Sequence, residues 1–561
     1  MKKLSKKLIA LLTVASMLFM VACSSGSSNS DSSSDTKGSA TDTTSSSGGD
    51  KTADAKPLKF TATLTGWGGD DANSMVHKEW LKVMEEKMGR PLDITFNWIP
   101  QAEYEEKSKL MFSTGDLTDI TVTPFWYDYV KVAKDGLLLE LSQYKDLLPN
   151  YMEWVKATKD GEALCFLPDG TMYVFMQGEL PRFPADKGML AQNMSAYNYN
   201  VFEKHNIKIP ETLDELYVAA KKLKELYPNE YPINTRFQSL NPIFYAHHVD
   251  RDVYWNGEEY VYGPFEEGYK ESLMFLNKLY TEGLLDPEYS IETNDTIKMK
   301  ALNQKNFIFL NEWFTSPGEY SRNNEEGLKF AVTLYPDNPK YGKCWQTVSN
   351  VNTMNLSNWG MFAIDAKTKD PEGLMKFIDL QYSEEIIRLL TWGIEGVTYT
   401  IGSDGKPQFV DSILNAKDPW AEGDKYGMRA SSKHRPGLQM AADTAAYVAF
   451  APNDYIYYDG KLHEEPIEKS PYITEIPFPE NEYMPPWFNG PTVTFTTEEN
   501  QEISKIKTAL DTYRDEMQTK FISGEESFAN WDKFINGLKS MGDIDRLLEI
   551  YNAAADRFYG K

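Results

Sequence analysis

The chain has 561 residues, 13% of them aromatic, including 13 Trp and 33 Tyr. Its net charge of −25 argues against nucleic acid or an anionic membrane surface as partner, because both are held by basic patches; it also disfavours a strongly acidic ligand. Three cysteines are too few for a disulfide framework, and the six histidines show no Cys/His spacing typical of zinc.

Lys2, Lys3, Lys6 and Lys7 open the chain, and Leu8 to Ala22 is apolar apart from Thr13 and Ser16. That run is too short for a spanning helix, which needs roughly 20 residues, and suits a signal peptide over 1–22. It ends in Met20-Val21-Ala22-Cys23, which resembles the lipobox of bacterial lipoproteins, with Met20 where Leu is usual. Cys23 is then the lipidated residue, and two acyl chains on it anchor stably where a single chain does not. The alternative is an ordinary cleaved leader with an incidental cysteine. Removing the four leader lysines leaves a mature charge of −29. Ser24 to Lys56 contains no aromatic and no large aliphatic residue, so 23–56 reads as a disordered tether. As a flexible coil its ends lie about 30 Å apart.

Beyond Pro57, Leu58 to Leu64 is β-prone and leads to Gly66-Trp67-Gly68-Gly69. Asn73 to Met88 reads as a helix with Val76, Trp80, Leu81, Met84 and Met88 on one face. Leu92, Ile94, Phe96 and Trp98 alternate with polar residues, as in a half-buried strand. A helix over about 102–113 leads into Gly115-Asp116-Leu117-Thr118-Asp119 and a strand from Ile120. This β-α-β-α-β order points to an α/β sheet with parallel neighbours, in which ligands collect beyond the carboxyl ends of strands. Thr212 and Glu215 form a capping box on a helix that Pro228 stops. Further helices are expected at about 267–282 and 371–392. The stretch 416–491 is rich in Pro, Tyr and Gly without periodicity, and 496–559 is helical with breaks near Gly524 and Gly542. Cys165 and Cys344 either pair once or stay as buried thiols. No later hydrophobic run is long enough to span a membrane.

Five stretches in chain order carry a resemblance. They are Gly115 to Ile120 (G-D-L-T-D-I), Asp135 to Leu141 (D-G-L-L-L-E-L), Ile209 to Leu216 (I-P-E-T-L-D-E-L), Leu279 to Glu288 (L-Y-T-E-G-L-L-D-P-E) and Trp392 to Tyr399 (W-G-I-E-G-V-T-Y). Together with the lipobox they resemble the extracellular solute-binding lipoproteins of bacterial ABC-type oligosaccharide importers, in the LipO/YtcQ-like branch. The resemblance implies an α/β, two-lobed periplasmic-binding-protein fold with a hinge and a helix-rich C-terminal part. The first lobe is expected over 57–190, with segments returning at roughly 365–430; the second spans 191–364, with 431–561 mostly packing on it. The implied activity is capture of an oligosaccharide between the lobes and delivery to the transmembrane subunits of an ABC-type permease, by a monomer on the outer face of the membrane. No cofactor and no metal are expected. Many relatives carry a calcium-loop-like insertion after the capped helix, whereas Leu226 to Ile233 offers no row of oxygen ligands here.

A sugar presents apolar C–H faces and many hydroxyls, so its site needs flat aromatic platforms with donors and acceptors beside them. Trp67 and Trp126 follow strands; Trp313 follows the apolar run Phe307 to Leu310; Trp359 and Trp392 flank the late-middle helix. Core packing is the plain alternative for each. Asp119 is a hydroxyl acceptor or a turn cap, and Arg236 and Glu395 serve either the ligand or ion pairs. Other readings are a peptide-binding importer lipoprotein, a surface carbohydrate adhesin or sensor, and a polysaccharide-degrading enzyme. The enzyme reading finds no G-x-S-x-G, H-E-x-x-H or phosphate loop, and no context marks a carboxylate pair.

Overall fold

A computed structural model describes residues 55–561 apart from 67–71, 126, 182–187, 190–191, 236–238, 323, 348–353, 417, 429–436, 451–453 and 475–481. Cys23 and most of the tether therefore lie outside the described residues. Alternating apolar residues build the first strands. In β1 (Leu58–Gly66), Leu58, Phe60 and Ala62 are buried. It runs parallel to β2 (Leu92–Pro100), with Phe60 opposite Ile94 and Ala62 opposite Phe96. On its other side β1 pairs in parallel with β3 (Ile120–Val122). Two more strands flank these, β4 (Val174–Leu180) and the much later β9 (Asn355–Ile364), which is antiparallel to both β3 and β4. The last is β10 (Ala441–Asp443), parallel to β4. The order is β10-β4-β9-β3-β1-β2, a mixed sheet whose early β-α-β-α-β part is parallel.

Helices α1 (Met75–Met88) and α2 (Gln101–Thr114) make the two crossovers. Ser74 caps α1 by accepting the His77 N–H at 3.1 Å, and α1 turns Val76, Trp80 and Met84 inward. Trp80 is fully buried, and its indole N–H donates to Gln381 Oε1 at 3.1 Å. Gly437 (φ +61) lies against this ring so closely that a Cβ there would come within 2.6 Å of it; glycine is required by both space and backbone. The single helix expected at 371–392 is two helices, α6 (Pro371–Leu380) and α7 (Glu384–Trp392). Both face the same core, so the apolar periodicity runs through the break.

A second six-stranded sheet has its own core. It contains β5 (Asn193–Asn198), β6 (Ile233–Asn234), β7 (Ile308–Trp313), β8 (Phe330–Thr333), β11 (Asp454–Tyr458) and β12 (Lys461–Glu465). Their order is β12-β11-β8-β5-β7-β6. Helix α3 (Leu213–Leu226) is capped by Thr212, which accepts the Glu215 N–H at 3.2 Å, and buries Leu213, Leu216, Ala220 and Leu223. Helix α4 (Glu267–Thr281) packs against the long α8 (Thr497–Ser523), which α9 (Trp531–Met541) and α10 (Ile544–Phe558) follow. Between α4 and β7 lies α5 (Asn294–Leu302).

The sheets also correct the expected boundaries. β9 and β10 hydrogen-bond into the first sheet, so residues 355–364 and 441–443 belong to the first lobe and not to the second. The expected irregular stretch holds β10, β11 and β12; the β11–β12 hairpin turns on Asp459-Gly460 with φ 48° and 79°, as a two-residue type I′ turn requires. Cys165 and Cys344 are free thiols, one buried in each core, and burial pushes the Cys165 thiol up to about 12. Among the described residues no helix is long and apolar enough to cross a membrane.

Candidate functional site

The chain passes between the sheets three times, from β4 to β5, from β8 to β9 and from β10 to β11. The first two crossings are tied together at the second sheet: Gln192 N–H donates to Thr347 O at 2.7 Å, and Asn193 N–H to Thr347 Oγ1 at 2.9 Å. The carboxyl ends of β1 to β4 and β10 share one edge of the first sheet, where β9 begins. On the second sheet the carboxyl ends of β6, β7, β8 and β11 share an edge with the start of β5. Both edges meet crossing segments, and in open α/β sheets ligands collect beyond the carboxyl ends of strands, so the two edges are the candidate region.

At the first edge two buried polar atoms have no hydrogen-bond partner among the described residues. One is Thr65 Oγ1, near the end of β1; the other is Glu105 Oε2, in the first turns of α2. The other carboxylate oxygen of Glu105 accepts the Phe125 N–H at 3.3 Å, which fixes the side chain beside the exit of β3. A buried carboxylate oxygen without a donor is costly, and a ligand hydroxyl or a water reaching it would satisfy it. Trp67 and Trp126 lie outside the described residues, directly after Gly66 and Phe125. Trp359 belongs to β9, where the pairing with β4 shifts register between Ser357 and Phe362; its side chain is likewise outside the described set.

At the second edge Trp313 ends β7, partly buried, opposite Asn193. Asn193 Nδ2 donates to Asn311 Oδ1 at 3.1 Å, and the Tyr335 hydroxyl donates to the same oxygen at 2.6 Å. Arg236 lies outside the described residues, two places after the end of β6. That strand end is pinned by a dense polar cluster. Asn234 Nδ2 donates to Glu292 Oε1 at 3.0 Å and to Asn306 Oδ1 at 2.9 Å. Lys300 on α5 donates to Asp286 at 2.9 Å, to Glu288 at 2.7 Å and to Glu292. These three carboxylates gather within 4.8 Å, a spacing that would suit a cation, and the Lys300 ammonium bonds to all of them. Burial alone would lower the Lys300 pKa, but its hydrogen bonds to the three acids outweigh that and raise it.

Three residues singled out from the sequence stand elsewhere. Trp392 is only 3% exposed; its ring lies 4.5 Å from that of Phe409, and its N–H donates to Asp443 Oδ2 at 2.6 Å. It is a core residue, with no face left for a sugar. Asp119 precedes β3, at the opposite end of the sheet from the candidate edge. One of its oxygens accepts Thr61 N–H at 2.8 Å, and the other accepts the Thr368 hydroxyl at 2.8 Å. That is a tie between β1, β3 and the loop before α6. Glu395 is exposed in the turn after α7. Conversely, Thr65 and Glu105, whose buried atoms lack partners among the described residues, are not among the sequence candidates. Glu105 carries the one sequence signal among them, a carboxylate opening the helix after a strand of a β-α-β unit.

Several known proteins are similar to this chain. The fructooligosaccharide ABC transporter substrate-binding protein FusA of Streptococcus pneumoniae is 24% identical over 523 residues, covering 88% of this chain and 89% of that one. The polygalacturonan/rhamnogalacturonan-binding protein YtcQ of Bacillus subtilis is 23% identical over 342 residues, covering 58% and 64%. Among solved structures, FusA in complex with kestose superposes with a TM-score of 0.65 at 20% identity, over 90% of this chain and 100% of that one. The alginate-binding protein AlgQ2 without calcium ion gives a TM-score of 0.67 at 20% identity, over 90% and 99%. These likenesses show the two-lobed α/β fold. The model of the bacterial extracellular solute-binding proteins matches residues 70–386, more than half of the sequence, and the chain belongs to that family.

Proposed function

We propose that this protein captures a neutral oligosaccharide between its two lobes and hands it to the transmembrane subunits of an ABC-type permease. The observation that carries this reading is the pair of unsatisfied buried atoms, Thr65 Oγ1 and Glu105 Oε2, at a sheet edge served by three chain crossings. Ligand hydroxyls satisfy those atoms, and Trp313 at the end of β7, with Trp67, Trp126 and Trp359 as further candidates from sequence position, offers a face for sugar C–H groups. Arg236, following β6, serves as a donor. The crossings form the hinge, and closure follows because the ligand binds the closed state better than the open one. Two relatives are named for saccharide binding, one for fructooligosaccharides and one for polygalacturonan/rhamnogalacturonan; both support a saccharide, and only the first a neutral one. The mature charge of −29 favours the neutral kind. Cys23 carries the lipid that keeps the protein, as a monomer, on the outer face of the bacterial cytoplasmic membrane, and binding proceeds without turnover.

Calorimetry against disaccharide to hexasaccharide ladders of neutral sugars, with a galacturonate ladder and mixed peptides beside them, tests the reading. Saturable binding of one neutral ladder without product is expected. Release of reducing ends would overturn it, and so would binding of peptides with none of sugars.

A further inference from the structure

Where β8 and β11 leave the second sheet, a cavity of about 230 Å³ opens between them and the approach to α3. Among the described residues that line it are five tyrosines, Tyr335, Tyr457, Tyr458, Tyr472 and Tyr483. The Asp459-Gly460 turn folds β12 back along β11, so His463 stacks on Tyr458 with ring centroids 3.9 Å apart and 8° between planes. The Tyr458 hydroxyl donates to Glu465 at 2.6 Å. The hairpin thus holds Tyr458 in one orientation before any ligand arrives. Tyr457 and Tyr483 remain partly exposed, as amphipathic rings on a wet binding surface are.

Three further features define what the cavity would accept. Its volume lies below the roughly 300–1,000 Å³ of pockets that enclose a drug-sized ligand, so it takes one small ring and not a chain. Its charges are Glu211, Asp337 and Asp459 against Lys343, and Lys343 is already paired with Asp337 at 2.9 Å. Glu211 is likewise paired with Lys208 at 3.4 Å, so the described lining residues offer no spare cation to hold a uronate. Finally, Tyr335 lines the cavity while its hydroxyl bonds Asn311 at 2.6 Å, the residue that also holds Asn193 opposite Trp313. The cavity therefore lies at the second-sheet edge, with Tyr335 linking it to the Asn311–Asn193 pair.

We infer that this cavity is a side subsite that holds one neutral sugar ring, the end or a branch of an oligosaccharide whose main part lies between the lobes. The inference rests on the reading of the interlobe edges as a sugar site. It is tested with the neutral ladder that binds the wild-type protein best, using Tyr457→Ala and Tyr483→Ala with Tyr457→Phe as control. The alanine variants should weaken the longest members about three- to tenfold and leave the shortest binding member unchanged, which also shows that they fold. Tyr457→Phe keeps the ring face and should bind all lengths as the wild type does. Equal loss at every length, or no loss at any, would overturn the subsite alone. Failure of the wild type to bind any neutral ladder would overturn the neutral-sugar reading and the subsite with it.

Discussion

Two acidic regions of this protein stand in opposite states. Around Lys300, the carboxylates of Asp286, Glu288 and Glu292 meet an ammonium and the amides of Asn234 and Asn306. At the edge of the first sheet, Glu105 keeps one buried oxygen with no donor among the described residues, and Thr65 keeps a hydroxyl in the same condition. Buried charge is tolerated when it is paired and bonded, and is destabilising otherwise. The first region is a structural clasp on the end of β6. The second retains unused bonding capacity, which the proposed oligosaccharide would fill. Counting acidic residues would not separate the two; counting their partners does.

The contrast breaks first at Lys300. Lys300→Met leaves Asp286 and Glu292 buried without their cation, and unfolding free energy should fall by about 3–5 kcal/mol, read from urea denaturation. A loss within the noise of the titration would mean that the cluster is not a clasp. At Glu105 the effect should move to affinity. Glu105→Gln should weaken oligosaccharide binding by about 1.5–3 kcal/mol, the worth of a hydrogen bond to a charged group, with a melting temperature at or above that of the wild type. A stability loss with unchanged affinity would reverse the assignment. The smallest effect concerns Asp252, which resembles the Lys300 cluster in kind. Burial pushes its carboxyl up, but Lys507 and Arg514 outweigh burial and hold it below the usual carboxylate range. Its contribution is complete above the unfolded value of about 3.9 and is lost as pH falls through the lowered folded value. Acid denaturation followed by circular dichroism should therefore lose part of its slope below that pH in Asp252→Asn.

Much of the fold was legible in advance, for local reasons. The alternation of Leu92, Ile94, Phe96 and Trp98 is that of a half-buried edge strand, and β2 is one. Thr212 and Glu215 marked a helix start that the Thr212 hydroxyl makes. The Asp459-Gly460 hairpin was equally local, yet Pro- and Tyr-rich surroundings hid its two short strands. β9 pairs in the first sheet although local pattern groups it with the second, because its partners, β3 and β4, lie far back in the chain. The candidate site was less legible. Trp392 and Asp119 have the right chemistry for a sugar, but Asp443, Thr61 and Thr368 already use their polar atoms. Thr65 and Glu105 look ordinary in sequence, since an unsatisfied atom is defined by what the tertiary structure fails to bring near it.

The three crossings have a consequence for how the molecule is made. The first sheet spans Leu58 to Asp443, with the whole second sheet up to β8 inserted between β4 and β9. No single stretch of the chain encodes either lobe. The first lobe cannot complete its sheet until the β10 segment is available, and its strand pairings join residues hundreds of positions apart. Assembly dominated by such distant pairings is slow and leaves unpaired strand edges exposed while it waits. The same threading ties the two sheets together covalently at three places in the chain, so cutting any one crossing would leave the other two to hold them together.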